Sequence, residues 1–581
     1  VAVRYAQVVA AYQDLEATTS RRQMSSVLVA LLRATPVELL SRLVYLTQGQ
    51  LAPQFAGLEI GMAEQLALRA VALGVERTVE ETRSALVRRG DLGSAAEELL
   101  QGMGRAPVLS VDEVYAGLEA IARASGPGSI AQKVDALADL LRRATPVEAR
   151  YLVRTVTGKL RLGVADMTLL DALATAFAEP ANARPIVERA YNLSSDLGEV
   201  AVRLARDGLT ALAELHPEPF HPIRPMLAER LKDPAEILAK LGGRCAAEYK
   251  YDGERVQVHR RGDEVRIYSR RGEVITAQYP DVVDLTRACV PAESAIFEAE
   301  AVARNPETGD LLPFQELMRR KRIHGVAEKA EELPVSLMLF DLLSLNGEDY
   351  TTRPYPERHA QLERLIKAGP RVQLVQRKIV ESTTGLQEFF ELAVSDGTEG
   401  LVCKSLAPDS FYQAGSRGFL WIKFKRDYVA AMTDSVDLVV VGALHGRGRR
   451  GGVYGSLLLA AYDPSADVFR TVTKVGAGFS DANLAALPGR LTSFVIPHRH
   501  PRVDAKMVAD VWFVPALVLE VIGAEVTLSP IHTAGLGRFR PEAGLAIRFP
   551  RFTGRWRDDK APEDATTIDE LVEMYRLGTR K

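Results

Sequence analysis

Along the first 215 residues apolar side chains return every three or four positions, as in Ser26-Val27-Leu28-Val29-Ala30-Leu31-Leu32 and again from Val134 to Leu141. That period lays one apolar stripe along a helix. Strictly alternating runs are nearly missing here, so the region is predicted to be helix after helix. Pro and Gly fall mostly between the periodic segments, as in Ser125-Gly126-Pro127-Gly128. The region also repeats itself. Leu31-Leu32-Arg33-Ala34-Thr35-Pro36-Val37-Glu38 returns about 110 residues later as Leu141-Arg142-Arg143-Ala144-Thr145-Pro146-Val147-Glu148. Each copy precedes a similar loop and helix start, Gly57 to Glu64 and Lys159 to Asp166, which predicts a duplicated helical unit with pseudo-two-fold symmetry. The copies differ in charge: Glu59 stands where the second copy has Arg161, and the second copy adds Lys159. Two cations beside a helix N-terminus suit phosphate contacts.

A proline-rich segment from His216 to Pro225 follows and marks a domain boundary by its stiffness. Beyond it the pattern shortens to alternating strands such as Arg255-Val256-Gln257-Val258-His259 and Glu264-Val265-Arg266-Ile267-Tyr268, mixed with helices. From about Ser435 short strands dominate, among them Val436 to Val441 and Ser456 to Tyr462, with one helix expected near 480–495. That is the pattern of a small β-barrel of the OB type. The expected division is a helical domain over 1–215, an α+β domain over 216–430 and a β-barrel domain over 431–581.

Composition narrows the class. The chain has 581 residues, too many for one core, and 47% hydrophobic with 25% charged residues is ordinary globular usage. No apolar run approaches the roughly 18 residues of a membrane span, and no secretory leader is expected. Cys245, Cys289 and Cys403 are too few and too scattered for a four-cysteine zinc module or a disulfide scaffold. With 73 basic and 75 acidic residues, a nucleic-acid partner must be argued from local clusters and not from total charge.

The candidate chemistry centres on Glu248-Tyr249-Lys250-Tyr251-Asp252-Gly253-Glu254-Arg255. A lysine attacks phosphorus only as the free amine, and its ordinary pKa of about 10.4 must be lowered by burial, cations or a metal. Lys250 falls where an apolar strand meets an Asp-Gly turn. Alone, such a lysine is an ordinary exposed charge. It is followed in order by Tyr268-Ser269-Arg270-Arg271-Gly272, Phe297-Glu298-Ala299-Glu300, Leu339-Phe340-Asp341, Glu399-Gly400-Leu401-Val402-Cys403-Lys404, Trp421-Ile422-Lys423-Phe424-Lys425 and Arg557-Asp558-Asp559-Lys560.

This ordered set resembles the ATP-dependent DNA ligases of the archaeal and eukaryotic replicative type, also found in some bacteria, within the lysine-nucleotidyltransferase superfamily. The resemblance covers nearly the whole chain. It implies a helical DNA-binding domain, an adenylation domain and an OB-fold domain, and the sealing of nicks in duplex DNA through lysyl-AMP and DNA-adenylate intermediates. It makes Lys250 the adenylylated residue, puts Glu248 at the adenine edge and Arg255 on the ribose or phosphates, and sends Arg270 to the phosphates. Glu300 binds ribose and metal, Glu399 is a second metal ligand, and Phe340 stacks on adenine. Lys404 stabilises the transferred phosphate, Lys423 and Lys425 face the α-phosphate, and Arg557 and Lys560 orient the pyrophosphate.

ATP with Mg²⁺, or Mn²⁺ in its place, is the implied cofactor set, and nicked duplex DNA the partner. Lys159, Arg161, Arg447, Arg449 and Arg450 are the candidate DNA contacts; the run Arg319-Arg320-Lys321-Arg322 is assigned a local structural or nucleic-acid role. A monomer in a prokaryotic cytoplasm, at the nucleoid, is expected, with a sliding clamp left open as a further partner. The rivals are weaker. An RNA-end enzyme of the superfamily lacks a reason for the helical domain, an NAD-dependent ligase normally carries a cysteine zinc module, and a silent scaffold would not need Lys250 or Glu399.

Overall fold

The computed structural model describes residues 3–178, 183–304, 312, 314–318, 330, 333–396, 398–425, 435–445, 454–523, 525–529, 531–539, 541–548 and 550–579. Two compact units emerge: Val1–Phe389 with Val402–Lys423, and Phe390–Leu401 with Phe424–Lys581.

Among the described residues the first unit opens with twelve α-helices: α1 (Tyr5–Glu16), α2 (Arg21–Arg33), α3 (Val37–Thr47), α4 (Glu64–Gly74), α5 (Val79–Arg89), α6 (Leu92–Leu100), α7 (Val111–Arg123), α8 (Ser129–Arg143), α9 (Pro146–Val156), α10 (Asp166–Phe177), α11 (Arg184–Ser194) and α12 (Leu197–Ala213). Reciprocal capping boxes start α5, α7 and α9, at Thr78/Glu81, Ser110/Glu113 and Thr145/Glu148.

The repeat seen in the sequence covers all twelve helices, α1–α6 matching α7–α12, and the copies are interlocked and not merely side by side. Helix α4 packs on α8 of the other copy while α10 packs on α2, and α6 packs on α9 while α12 packs on α3. The backbone repeats the symmetry where the two N-termini meet. Tyr5 donates to the carbonyl of Leu109, and Val111 to that of Val3. Neither copy buries its apolar faces without the other, which is the physical reason for two.

The copies diverge at their loops. Ile60 and Leu162 are both buried, but Glu64 at the start of α4 pairs with Lys159, whereas its counterpart Asp166 accepts from Gln48 and Tyr191 and lies near Arg224. Arg161 stays exposed.

The strands that follow are β1 (Leu227–Arg230), β2 (Cys245–Tyr249), β3 (Glu254–Arg261), β4 (Glu264–Ser269), β5 (Ser294–Ala303), β6 (Val335–Leu345), β7 (Glu348–Asp349), β8 (Val372–Leu374), β9 (Arg377–Val380), β10 (Gly400–Lys404) and β11 (Arg417–Lys425). They form a five-stranded sheet in the order β1-β11-β10-β2-β9 and a six-stranded sheet β4-β3-β5-β6-β7 with β8 beside β6.

The segment His216–Pro225 is stiff, as its prolines require, but the compact units do not divide there. The reason lies in its polar bonds. Gln257 accepts from the amide of Ile223 (2.7 Å) and donates to the carbonyl of the same residue (3.0 Å). The amide of Phe220 donates to Nδ1 of His259 (2.9 Å). On the helical side Ser195 donates to the carbonyl of Pro222, and the amide of Arg224 donates to that of Asn192. A segment bonded to both neighbours is a strap.

The second unit carries β12 (Val436–His445), β13 (Tyr454–Asp463), β14 (Val468–Val475), β15 (Val495–Ile496), β16 (Val503–Asp504), β17 (Val511–Phe513), β18 (Val518–Ile522), β19 (Glu525–Ser529), β20 (Gly544–Arg548) and β21 (Arg551–Trp556), with the expected helix at Asp481–Leu491. Strand β12 is shared: β13 lies along one edge, and β18 and β17 take successive halves of the other. A strand bonded in this way sits where a sheet curls on itself, as the β-barrel reading expects.

His259 gives this fold a pH signature. A backbone amide can only donate, so Nδ1 is the acceptor and the ring proton sits on Nε2, which donates to Gln257 at 2.8 Å. Burial, then His221 and Arg266, push its pKa down to about 3. Below the ordinary value of about 6.5 the unfolded chain takes up a proton that the native one refuses, so stability falls on acidification through that window. From pH 6.5 to 5 this one group is worth about 2 kcal/mol. His259→Gln should flatten the pH dependence of the thermal midpoint across pH 5–6.5; an unchanged slope refutes the assignment.

Candidate active site

Strand β2 is buried along its whole length and ends at Tyr249, so Lys250 is the first residue to emerge, half-buried, before the turn at Asp252-Gly253. Gly253 is needed for space. A Cβ there would stand 2.4 Å from the carbonyl oxygen of Ala301 and 2.9 Å from Cγ of Glu300. The turn is thereby pressed onto β5, and β3 pairs with β5 so that Arg255 lies opposite Glu300 and Gln257 opposite Glu298.

The alternating acids of β5 divide their work. Glu298 is buried and receives the guanidinium of Arg255 on both oxygens at 2.7–3.1 Å, with the hydroxyl of Tyr412 at 3.0 Å. Glu300 is half-buried. Arg255 also donates to the carbonyl of Met226 (2.9 Å); burial works against its charge, and Glu298 outweighs it and raises the pKa.

Phe340 owes its position to an irregularity. The β5–β6 register runs Glu298 to Asp341 and then Ala299 to Leu339, skipping Phe340, which is the extra residue of a β-bulge. It is half-buried in a strand otherwise almost wholly buried, edge-on to Trp421 with ring centroids 6.2 Å apart. The ammonium of Lys404 and the guanidinium of Arg255 lie 5.0 and 5.4 Å from its ring.

Behind this ring is a network of buried charge. Lys404, 1% exposed, donates to the carbonyl of Phe340 (2.8 Å) and pairs with Glu248, 2% exposed, at 2.7 Å. The hydroxyl of Tyr355 donates to the other oxygen of Glu248. Burial pushes the Glu248 carboxyl up, against Lys404 and Tyr355, which draw it down. Asp341 and Arg358, both wholly buried, form a two-pronged pair at 2.7 and 2.9 Å, and Arg358 also donates to the carbonyls of Arg353 and Ser410.

Arg270 lies in the turn after β4, where burial and the cations Arg255 and Arg417 push its pKa down. With Arg255, Arg224 and Tyr191 it lines a cavity of about 410 Å³ between the helices and the sheets of the first unit; Lys250, Phe340 and Lys404 are not among the lining residues.

Lys423 and Lys425 are half-buried on one face of β11, with buried Phe424 between them on the other. Within the second unit Lys425 pairs with Glu399 at 2.8 Å. Gly400 is a glycine on two counts: its φ is 132°, and a Cβ would meet the carbonyl oxygen of Phe424 at 2.3 Å. Arg557 and Lys560 converge on one oxygen of Asp437, Lys560 at 2.7 Å, while Asp559 grips Arg557 from the other side at 2.8–2.9 Å. Arg447, Arg449, Arg450 and the run Arg319-Arg320-Lys321-Arg322 lie outside the described residues.

Sequence reasoning overlooked Tyr355, Arg358, Asp341, Tyr412 and Asp437. Their spacing from Lys250 is irregular, and only the strand order brings Tyr355 to Glu248, Arg358 to Asp341, Tyr412 to Glu298 and Asp437 to Arg557.

Three family models match consecutive stretches: "DNA ligase N terminus" over residues 4–174, "ATP dependent DNA ligase domain" over 225–425, and "ATP dependent DNA ligase C terminal region" over 450–560. "DNA ligase 2" of Thermofilum pendens is 54% identical over 97% of this chain and 96% of its own. The "Probable DNA ligase" of Aquifex aeolicus is 50% identical over 97% of each, and the "DNA ligase" of Staphylothermus marinus 50% over 98% of each. Among solved structures, Pmar-Lig_PreS3 covers 95% of this chain and 99% of its own with a TM-score of 0.51 at 17% identity, a likeness of fold.

Proposed function

The chain belongs to the ATP-dependent DNA ligases, and we propose that Lys250 is the residue that carries the adenylate in its reaction. The observation that carries this reading is the placing of Lys250 at the outer end of a fully buried strand, two residues from Glu248 and its bond network under Phe340.

The enzyme joins nicked duplex DNA in three transfers. The lysine amine attacks the α-phosphorus of ATP and pyrophosphate leaves. The 5′-phosphate at the nick then attacks the adenylate phosphorus and frees the lysine. Last, the 3′-hydroxyl attacks the 5′-phosphorus and AMP departs. Such transfers depend on positioning and charge stabilisation. In our assignment Phe340 stacks on adenine, Glu248 faces its edge, and Arg255 and Arg270 face the ribose and phosphates. Lys423 and Lys425 face the α-phosphate, and their positive field favours the free amine of Lys250. Arg557 and Lys560, held by Asp437, orient pyrophosphate.

Among the described residues no cluster of three or more His, Cys, Asp or Glu could hold a metal. Mg²⁺ takes one or two carboxylates and completes its shell with phosphate oxygens and water. Glu300 and Glu399 are the carboxylates we assign to it, and it would neutralise phosphate charge. Lys159 and Arg161 are our candidate duplex contacts. No helix among the described residues is long and apolar enough to cross a membrane; we further propose a cytoplasmic monomer, with a sliding clamp as an optional partner.

Incubation with labelled ATP and Mg²⁺, followed by a denaturing gel, should leave label on the wild-type chain and none on Lys250→Ala; label retained on the variant refutes the assignment. Gly253→Ala should slow self-adenylylation by at least ten-fold, because the new methyl forces the turn off β5; an unchanged rate removes that constraint. Arg557→Ala and Lys560→Ala should slow self-adenylylation far more than sealing of a pre-adenylylated nick, and equal losses would discard the pyrophosphate role. Arg161→Glu should weaken nick binding about ten-fold and reduce the dependence of affinity on salt by about one counterion or more. An unaltered salt slope would exclude this loop from the duplex.

A further inference from the structure

We propose that Tyr355 and Lys404 are positioning residues that hold Glu248 as an anionic acceptor for the 6-amino group of adenine, and so select ATP over 6-oxo nucleotides. The inference deepens the assignment of Glu248 to the adenine edge and rests on it.

The geometry is specific. One oxygen of Glu248 accepts from the hydroxyl of Tyr355, the other from the ammonium of Lys404 at 2.7 Å. A carboxylate oxygen accepts two hydrogen bonds, so each retains a lone pair for a third donor. The same ammonium donates to the carbonyl of Phe340 (2.8 Å) and lies 5.0 Å from the Phe340 ring. One cation therefore joins the residue assigned to the base edge to the ring assigned to the base face. Lys404 is 1% exposed and flanked by the rings of Trp421 and Tyr355 at 4.5 and 4.8 Å, which suits a buried bolt better than a mobile phosphate ligand.

Tyr355 is also fixed. Its amide donates to both oxygens of Ser410 at 3.0 Å, and its ring is flanked by the guanidiniums of Arg377 and Arg358. Arg358 anchors that helix to Asp341, the residue after Phe340. The hydroxyl thus meets Glu248 from a rigid base.

The chemistry follows from the donors. An ionised carboxylate only accepts, so it matches the 6-amino group of adenine and repels the 6-oxo group of hypoxanthine or guanine. A protonated carboxyl can donate, and its O–H would donate to the 6-oxo oxygen. Burial alone favours the protonated form. The hydroxyl and the ammonium oppose that tendency, and discrimination rests on them.

The test is the ratio of kcat/KM for self-nucleotidylation with ATP and with ITP. Glu248→Gln, which offers both a donor and an acceptor, serves as the reference. Tyr355→Phe should lower the ATP-over-ITP ratio about ten-fold, the value of one hydrogen bond to a charged group. The change should fall mainly on KM, with kcat at saturating ATP within about three-fold. Lys404→Gln should lower the ratio likewise and Lys404→Arg restore most of it, which carries the test if Tyr355→Phe fails to fold. A merely structural role would slow both nucleotides together and leave the ratio unmoved. If Glu248→Gln collapses the ratio while Tyr355→Phe and Lys404→Gln keep it, this inference is overturned. If Glu248→Gln keeps the wild-type ratio, the assignment of Glu248 to the base fails instead.

Discussion

Charges removed from water must be paired completely, and that constraint organises the nucleotidyltransferase core. Glu248 with Lys404, Glu298 with Arg255 and Asp341 with Arg358 are three carboxylates almost without solvent, each matched to a cation and further bonded. Removing one partner from such a pair typically costs about 3–5 kcal/mol, because the other charge is left stranded. Each pair joins separate elements: β2 to β10, β3 to β5, and β6 to the helix that begins at Tyr355. The strands around Lys250 are therefore located by polar bonds as much as by apolar burial, and directional bonds give the half-ångström placement that phosphoryl transfer needs.

The helical region meets a different requirement. Each half of the duplication packs its helices on the other half, so the apolar stripes are covered without a sheet beneath them. Their matching loops are then free to differ. One keeps an acidic residue that pairs with Lys159; the other uses its acid, Asp166, beside the strap that leads into β1. Duplication supplied the scaffold and charge divergence the distinct roles.

In the second unit Asp437 performs the same service at lower burial. It gathers Arg557 and Lys560 onto one oxygen, so two long and otherwise entropically costly side chains share a common direction before any anion arrives. Gly400 similarly brings Glu399 against the end of β11, where it pairs with Lys425. The cations that we assign to phosphate are thus already held by carboxylates, which phosphate oxygens could replace as partners.

Local order was legible in the sequence. The helical period, the duplicated Ala-Thr-Pro-Val-Glu segment, the change to short strands after Pro225 and the ordered motifs from Lys250 to Lys560 identified the family and the kinds of element, since periodicity and contiguous motifs are properties of neighbours along the chain. Phe340 stands in an apolar run that by its pattern alone belongs in the core, so its expected place at the adenine came from the resemblance; the bulge created by pairing with β5 sets it apart from that run. The proline-rich stretch signalled stiffness, but its bonds to Gln257, His259 and Asn192 come from residues distant in sequence and make it a strap. Lys404 was expected at the transferred phosphate and not beneath the base, and Tyr355 carried no signal at all. Their meeting at Glu248 depends on strand order and register, which arise from long-range pairing, and no local pattern encodes which distant partner a buried charge will find.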